Sequence, residues 1–178
     1  MEEDIEKLKY PIGKFDWSGD ASIQDVEKAI QIIKDFPVRI SDYINSLEED
    51  QLDTPYRPGG WTVRQVVHHC ADSHMNAYIR FKLALTEDGP TIKPYNQTSW
   101  ANLPDSQLDP AVSLEIITGI HKRWVTIMEN MTNEEWGKKY FHPEQNAWQV
   151  LKKIALMYGW HCEHHLAHIT TLGERLGW

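Results

Sequence analysis

The sequence lacks three features, and each absence excludes a class of protein. Its only cysteines are Cys70 and Cys162, which are too few for a disulfide framework. No segment approaches the roughly 18 consecutive apolar residues of a membrane-spanning helix. The formal charge of −8 and the absence of any basic stripe argue against nucleic acid or an anionic membrane as a partner. Because the acidic N-terminal segment also does not resemble a secretion signal, we expect a cytoplasmic protein.

The 178 residues are enough for one domain with a sizeable core. Four segments carry apolar residues at helical spacing, and convincing strand alternation is absent. We therefore predict an all-α four-helix bundle. It is expected to form a single domain over residues 1–178, with residues 1–21 as an extended N-terminal arm. The predicted long helices cover residues 22–46, 62–86, 110–131 and 147–175.

Two features interrupt this helical pattern. Pro37 lies inside the first predicted long helix and is expected to kink or briefly break it. Residues 87–110 contain four prolines and little periodicity, so they are predicted to form a long loop between helices 2 and 3. Loops of this length in a compact domain usually cover a functional site or bridge two subunits.

Histidine is the most informative residue type, because seven of the nine histidines lie in two short segments. The segment WHCEHHLAHIT near the C-terminus contains four of them, and VVHHCADSH contains three. Imidazole is the commonest protein ligand for zinc, nickel and similar ions. The sequence therefore favours metal binding. The clustered histidines are His68, His69, His74, His161, His164, His165 and His168.

Helical geometry separates the histidines of the C-terminal segment into two pairs. At about 100° per residue, His161 and His165 lie opposite Glu163 and are centred on the predicted buried face. They are one turn apart, about 6 Å in rise, so one ion can bridge them. His164 and His168 have the same spacing and form an alternative pair, displaced from the centre of that face.

In the other histidine segment, helical periodicity alone does not single out the residue that faces a cavity. Val66, Cys70 and Ala77 define the apolar face of this helix, and His74 falls on it. His69 lies at the edge of the face, where it could border a cavity. The pattern alone therefore favours His74 as the buried histidine and leaves His69 as a candidate beside an open site.

Both histidine segments resemble a known family. WTVRQVVHHCADSH and WHCEHHLAHITTLGERLGW, with YPIGKF and YIRFKLALTEDGPTIKPY, are similar to the YfiT branch of the DinB/YfiT-like superfamily. The resemblance implies a four-helix bundle that holds one divalent ion with three histidines. The first follows the tryptophan of a W-[ST]-V motif by eight residues, which gives His69 counted from Trp61. The other two are the ends of an H-x-x-x-H element, here His161 and His165, so the resemblance favours His69 over His74.

Residues beside these three positions supply further candidates. Many superfamily members have R-G-Q after the last ligand, where this chain has Leu166, Ala167 and His168. His168 is therefore a candidate for positioning a ligand. Asp72 lies three residues after His69 and is a weak candidate for a catalytic carboxylate or for holding a ligand ring.

The resemblance also implies a function. It indicates a metal-dependent hydrolase with an unknown small-molecule substrate, one zinc or nickel ion per subunit, and a homodimer. Three neutral imidazoles leave a coordination position open, so a metal-bound water can serve as the nucleophile. The first alternative is an S-transferase that joins a low-molecular-weight thiol, of the bacillithiol kind, to an electrophile. It gains weight because the HExxH base is absent. The second alternative is a non-catalytic metal-binding bundle of a stress response.

Overall fold

The computed structural model describes residues 5–178, so residues 1–4 of the predicted N-terminal arm lie outside the described residues. Four long helices dominate the described residues; one short helix precedes them, and two short helices, two 3₁₀ turns and one hairpin lie between them. The helices are α1 (Ile5–Lys9), α2 (Ile23–Ile44), α3 (Glu49–Leu52), α4 (Val63–Thr86), α5 (Gln97–Trp100), α6 (Pro110–Glu129) and α7 (Leu151–Leu176). The strands are β1 (Lys139–His142) and β2 (Ala147–Val150).

The long helices α2, α4, α6 and α7 form a four-helix bundle, which confirms the predicted fold class. Helix α2 packs against α6 and α7, and α4 packs against the same two helices. Their apolar faces meet in one core, where Ile33, Phe36, Trp124 and Ile169 are fully buried. None of the helices in residues 5–178 is long and apolar enough to cross a membrane.

The start of α4 follows directly from its sequence. Thr62 accepts a hydrogen bond from the Gln65 backbone N–H at 3.1 Å, and the Gln65 side chain accepts one from the Thr62 N–H at 3.1 Å. This reciprocal arrangement pairs two backbone donors that a helix start otherwise leaves unbonded. This cap sets the residue at which α4 begins, and therefore the positions of His69 and His74 along the helix.

The expected break at Pro37 is absent, because α2 continues without interruption from Ile23 to Ile44. Pro37 is buried among the core residues of this helix. Proline has no backbone N–H, so it cannot donate the usual helical hydrogen bond to the carbonyl of Ile33. Packing of α2 on two neighbouring helices compensates for the missing bond and keeps the helix intact.

Two local expectations were wrong. Residues 147–150, predicted as the start of the last helix, form a strand that pairs antiparallel with β1. The N-terminal arm is not wholly extended, because Ile5–Lys9 is helical. The expected long connection between α4 and α6 is present, and it contains helix α5 and a 3₁₀ turn at Pro104–Gln107. The assignment of residues 1–178 to a single domain stays a prediction.

Candidate metal centre

Helices α4 and α7 bring three histidines together at the side of the bundle. His69 comes from α4, and His161 and His165 come from successive turns of α7. One ring nitrogen from each of the three lies within 4.8 Å of the others. Zinc binds imidazole nitrogen at about 2.0 Å, so small side-chain rotations bring these donors around one ion. The three residues are the same set that the family resemblance implies.

The donor chemistry fits a divalent cation. Nδ1 of His165 is buried and has no hydrogen-bond partner among the described residues, and the same holds for Nδ1 of the neighbouring His164 and His168. A buried polar atom without a partner is unfavourable by about 1–3 kcal/mol, so such rings call for a ligand from outside the protein. Imidazole nitrogen is a good ligand for zinc, nickel and related ions. The residues present therefore fit the ion that the family resemblance implies.

Burial keeps these histidines neutral. It lowers the pKa of His69 to about 4, with a further contribution from nearby His168. Burial also holds the pKa values of His161 and His165 well below the usual value of histidine. Neutral imidazole retains the lone pair that a metal needs, so all three rings are competent ligands at neutral pH.

The three histidines open onto a cavity of about 460 Å³, which we call the histidine cavity. Its charged lining residues, within the described part of the chain, are the cations Lys9 and Arg57. The Trp61 ring lies 4.6 Å from the His69 ring, measured between centroids, and forms part of the wall. Further lining comes from the aromatic residues Tyr10, Tyr56 and Trp160 and from Gln97 and Thr98 near the start of α5.

The alternative pair, His164 and His168, lies beside the three histidines but is held by aromatic rings. His164 stacks on Trp160 at a centroid distance of 4.3 Å, and His168 stacks on Tyr56 at 4.0 Å. His168 also donates from Nε2 to the backbone carbonyl of Lys9 at 3.0 Å. This bond ties the N-terminal arm to the cavity, which suits a residue that positions the site.

The structure does not bring Asp72 into the histidine cavity. Asp72 is half-buried and is absent from the residues that line the cavity. Burial, and secondarily the charge of Asp105, raises the pKa of Asp72 to about 6. The structure therefore does not support the role of catalytic base at this cavity, which stays a prediction for Asp72.

His68 has the bonding of a structural residue. Its Nε2 donates to the Leu108 carbonyl at 3.0 Å, and its Nδ1 accepts from the Ser113 hydroxyl at 2.7 Å. Both ring nitrogens are thus paired, and the ring joins α4 to the start of α6. His68 leaves no lone pair for a metal.

His121 is the buried functional candidate that the sequence reasoning missed. It lies on α6, 1% exposed, with its ring 4.8 Å from that of His74. His74, His121 and Cys162 form a second group whose ligand atoms lie within 4.8 Å of one another. The signal was present, because His121 falls at helical spacing between the apolar residues Ile117 and Trp124.

Comparisons with known proteins agree with this architecture. Residues 34–169 match the model of the DinB superfamily. The chain belongs to the DinB superfamily. A protein from Bacillus mycoides (strain KBAB4) is 51% identical over 174 residues, covering 98% of this chain and 100% of the relative. A protein from Bacillus cereus (strain 03BB102) is 51% identical over 171 residues, covering 96% of this chain and 98% of the relative. Both are named as candidate metal-dependent hydrolases.

Solved structures share the fold of this chain. YfiT from Bacillus subtilis, described as a probable metal-dependent hydrolase with an unusual four-helix bundle topology, superposes with a TM-score of 0.94. The two sequences are 43% identical, and the match covers 97% of this chain and 99% of YfiT. A mycothiol-dependent maleylpyruvate isomerase matches with a TM-score of 0.66 at 12% identity, over 84% of this chain and 63% of the isomerase. That second likeness shows the fold alone.

Proposed function

We propose that the protein is a metal-dependent hydrolase of small anionic molecules, with one divalent ion held by His69, His161 and His165. The observation that carries the proposal is the convergence of three neutral imidazoles, two buried and that of His161 half-buried, on the wall of an open cavity. When bound, such an ion lowers the pKa of a water molecule and polarises a substrate oxygen. The names of the relatives support metal-dependent chemistry.

The charges of the cavity indicate the substrate class. The chain as a whole has a formal charge of −8, yet the charged groups that line the cavity among residues 5–178 are Arg57 and Lys9, whose ammonium lies 3.8 Å from the Glu6 carboxylate. Arg57 is held in place because its Nε donates to the Tyr56 hydroxyl at 3.2 Å and its Nη1 donates to the Pro58 carbonyl at 3.0 Å. A fixed guanidinium is well suited to a carboxylate or phosphate group.

Thiol transfer remains a second candidate function, and two observations favour it. Among residues 5–178, those lining the histidine cavity include no carboxylate that could serve as a general base, and Glu144 lines the adjoining cavity instead. A second cavity of about 470 Å³ meets the first at His161 and Gln97, so two reactants can approach the site from different sides. The homodimer expected from the family stays a proposal.

One experiment tests hydrolysis and separates it from transfer. Zinc-loaded protein is assayed with the nitrophenyl monoester of succinate and with nitrophenyl butyrate, a neutral ester of the same chain length. We expect turnover that chelation and His165→Ala remove, with a lower KM for the succinate ester. Arg57→Gln is expected to remove that KM difference while leaving turnover of the neutral ester unchanged.

A parallel assay supplies a small thiol and an aromatic chloride. Thioether formation that depends on the metal, without hydrolysis of either ester, would contradict the hydrolase proposal and favour the transferase. Absence of both activities in protein that binds one ion per chain would contradict both enzymes and favour a non-catalytic metal-binding role.

A further inference from the structure

A series of three hydrogen bonds runs from the histidine cavity into the core of the bundle. His161 Nδ1 lies 3.0 Å from His74 Nε2, and His74 Nδ1 lies 2.7 Å from His121 Nε2. His121 Nδ1 lies 2.5 Å from the carbonyl oxygen of Ile33. The four residues come from α7, α4, α6 and α2, so this buried series connects all four helices of the bundle.

The carbonyl at the inner end sets the direction of every bond in the series. A carbonyl oxygen only accepts, so Nδ1 of His121 carries the proton and donates to Ile33. A neutral imidazole has one N–H, so Nε2 of His121 accepts, and its donor is Nδ1 of His74. The same reasoning makes Nε2 of His74 the acceptor and Nδ1 of His161 the donor. The remaining nitrogen of His161, Nε2, is left with a free lone pair.

The two inner rings, His74 and His121, are neutral because of their surroundings. His74 is 0% and His121 is 1% exposed. The ring nitrogens of both residues face only another imidazole nitrogen or a backbone carbonyl, and among the described residues no carboxylate is hydrogen-bonded to either ring. A charged imidazole in this environment would be strongly unfavourable.

Pro37 explains why the Ile33 carbonyl is available. In an uninterrupted helix this oxygen accepts a hydrogen bond from the N–H four residues later, which is position 37. Proline has no N–H, and its ring pushes against the carbonyl four residues earlier. The Ile33 oxygen is therefore released from the helical pattern at the place where His121 approaches it.

We propose that His74 and His121 are positioning residues that hold His161 as the Nδ1–H tautomer, so that its Nε2 is the atom presented to the metal. Partners that bond the second nitrogen of a metal-binding histidine fix the ring and its tautomer in many metal sites. Here the partner is another neutral histidine, and a backbone carbonyl anchors the series. The inference rests on the metal site of the proposed function.

The series also accounts for the second group of potential ligands, His74, His121 and Cys162. The facing nitrogens of His74 and His121 are 2.7 Å apart, which is a hydrogen-bond distance. Two nitrogens bound to one tetrahedral zinc ion are about 3.3 Å apart. Every ring nitrogen of His74 and His121 already has a protein partner, so we assign this group to positioning and not to a second ion.

The first test is the tautomer of His161 in the metal-free wild-type protein. Two-bond nitrogen–proton NMR correlations distinguish a ring protonated at Nδ1 from one protonated at Nε2. We expect protonation at Nδ1 for His161, His74 and His121. Protonation of His161 at Nε2 would overturn the proposal, whatever the metal affinity. Wild-type protein that binds no zinc would instead refute the proposed metal site itself.

The second test compares two side chains of the same length at position 74. Glutamine has an oxygen that can accept from His161 and an amide that can donate to His121, whereas methionine offers only a weak acceptor. His74→Met is expected to weaken zinc binding by about 10–100-fold and to mix the His161 tautomers. His74→Gln is expected to bind zinc nearly as well as the wild type. Equal zinc affinities for the two variants would overturn the proposal.

A third variant separates positioning from structural support and remains useful if His74→Met does not fold. Pro37→Ala supplies an N–H that competes with His121 for the Ile33 carbonyl. The change improves helix propensity, so the thermal midpoint of the metal-free protein is expected to rise. We expect zinc affinity to fall at the same time, with loss of the uniform Nδ1–H tautomer at His121. A rise in stability without either change would contradict the anchoring role of Ile33.

Discussion

The rings of His161 and His74 are in contact, yet they belong to two regions with different chemistry. On the inner side, both ring nitrogens of His68, His74 and His121 have protein partners. On the cavity side, the hydrogen bond of His161 uses Nδ1 alone, and Nδ1 of His165 has no partner in the described chain. The comparison teaches that burial and spacing do not distinguish a metal ligand from a structural histidine. A ligand set is indicated where ring nitrogens that no protein group occupies also converge on one point, as those of His69, His161 and His165 do.

The largest expected effect comes from removing a ring on the cavity side. His165→Ala is expected to weaken zinc binding by more than about 100-fold, because it removes a proposed ligand rather than a partner of one. The thermal midpoint of the metal-free protein should change little, since the ring makes no hydrogen bond to the described protein. Chelator competition and thermal unfolding give the two values, and wild-type zinc affinity in this variant would contradict the assignment.

Acid should affect both regions, because all of these rings are buried in the neutral form. Burial lowers the pKa of His69 and His121 to about 4, against about 6.5 in the unfolded chain. Between these values the unfolded state binds more protons than the folded state, so stability is full above pH 6.5 and falls as the pH drops towards 4. One fully buried histidine such as His121 contributes on the order of 3 kcal/mol to this loss.

Denaturant unfolding of metal-free protein at pH 7.5, 6, 5 and 4.5 measures the effect. The His121→Gln variant serves as the control, because glutamine does not titrate in this range. Its pH dependence should be shallower than that of the wild type. Equal slopes would mean that His121 is not buried in its neutral form.

A smaller effect is expected for the inner histidine His68, and it should fall on stability and not on zinc binding. His68→Ala leaves the Ser113 hydroxyl and the Leu108 carbonyl without their buried partner. The free energy of unfolding should fall by about 1–3 kcal/mol. Zinc affinity should stay near the wild-type value, because His68 has no free nitrogen. Loss of zinc binding with unchanged stability would contradict the assignment, because His68 would then serve the metal site and not the structure.

The smallest effects on metal binding are expected at the border between the regions. His164 and His168 lie close to the site but stack on Trp160 and Tyr56. His164→Ala and His168→Ala should each retain one ion per chain, with affinity reduced by less than about 10-fold, the lower end of the range for residues that support ligands. Elemental analysis with a zinc titration checks both values. Loss of the ion from either variant would instead indicate that His164 and His168 bind the metal.

Local rules were sufficient for much of the fold. Capping by Thr62 and the helical spacing of apolar residues place α4 and α7, and these two helices fix the three candidate ligands. Periodicity also identified His74 as fully buried, which is confirmed. The choice of His69 over His74 as the residue facing the cavity came from the family motif, because a helix face predicts burial but not what lies opposite.

Other features depend on contacts between distant parts of the chain and had no local signal. The bond from His121 to the Ile33 carbonyl joins residues 88 positions apart, and the bond from His168 to Lys9 joins residues 159 apart. Residues Ala147–Val150 form the second strand of the hairpin, although in the sequence they look like the first residues of the last helix. The sequence predicts a kink or brief break at Pro37, whereas in the structure the missing N–H leaves the Ile33 carbonyl as an acceptor for His121 of another helix.

The most direct test of the central claim is X-ray absorption at the zinc edge on protein loaded with one zinc ion per chain. Binding by His69, His161 and His165 predicts a nitrogen and oxygen shell at about 2.0 Å, imidazole outer-shell scattering from three rings, and no sulfur. The His74, His121 and Cys162 group would instead give a zinc–sulfur distance of about 2.3 Å. A sulfur contribution that disappears in Cys162→Ser would contradict the account, because the ion would then occupy the inner region.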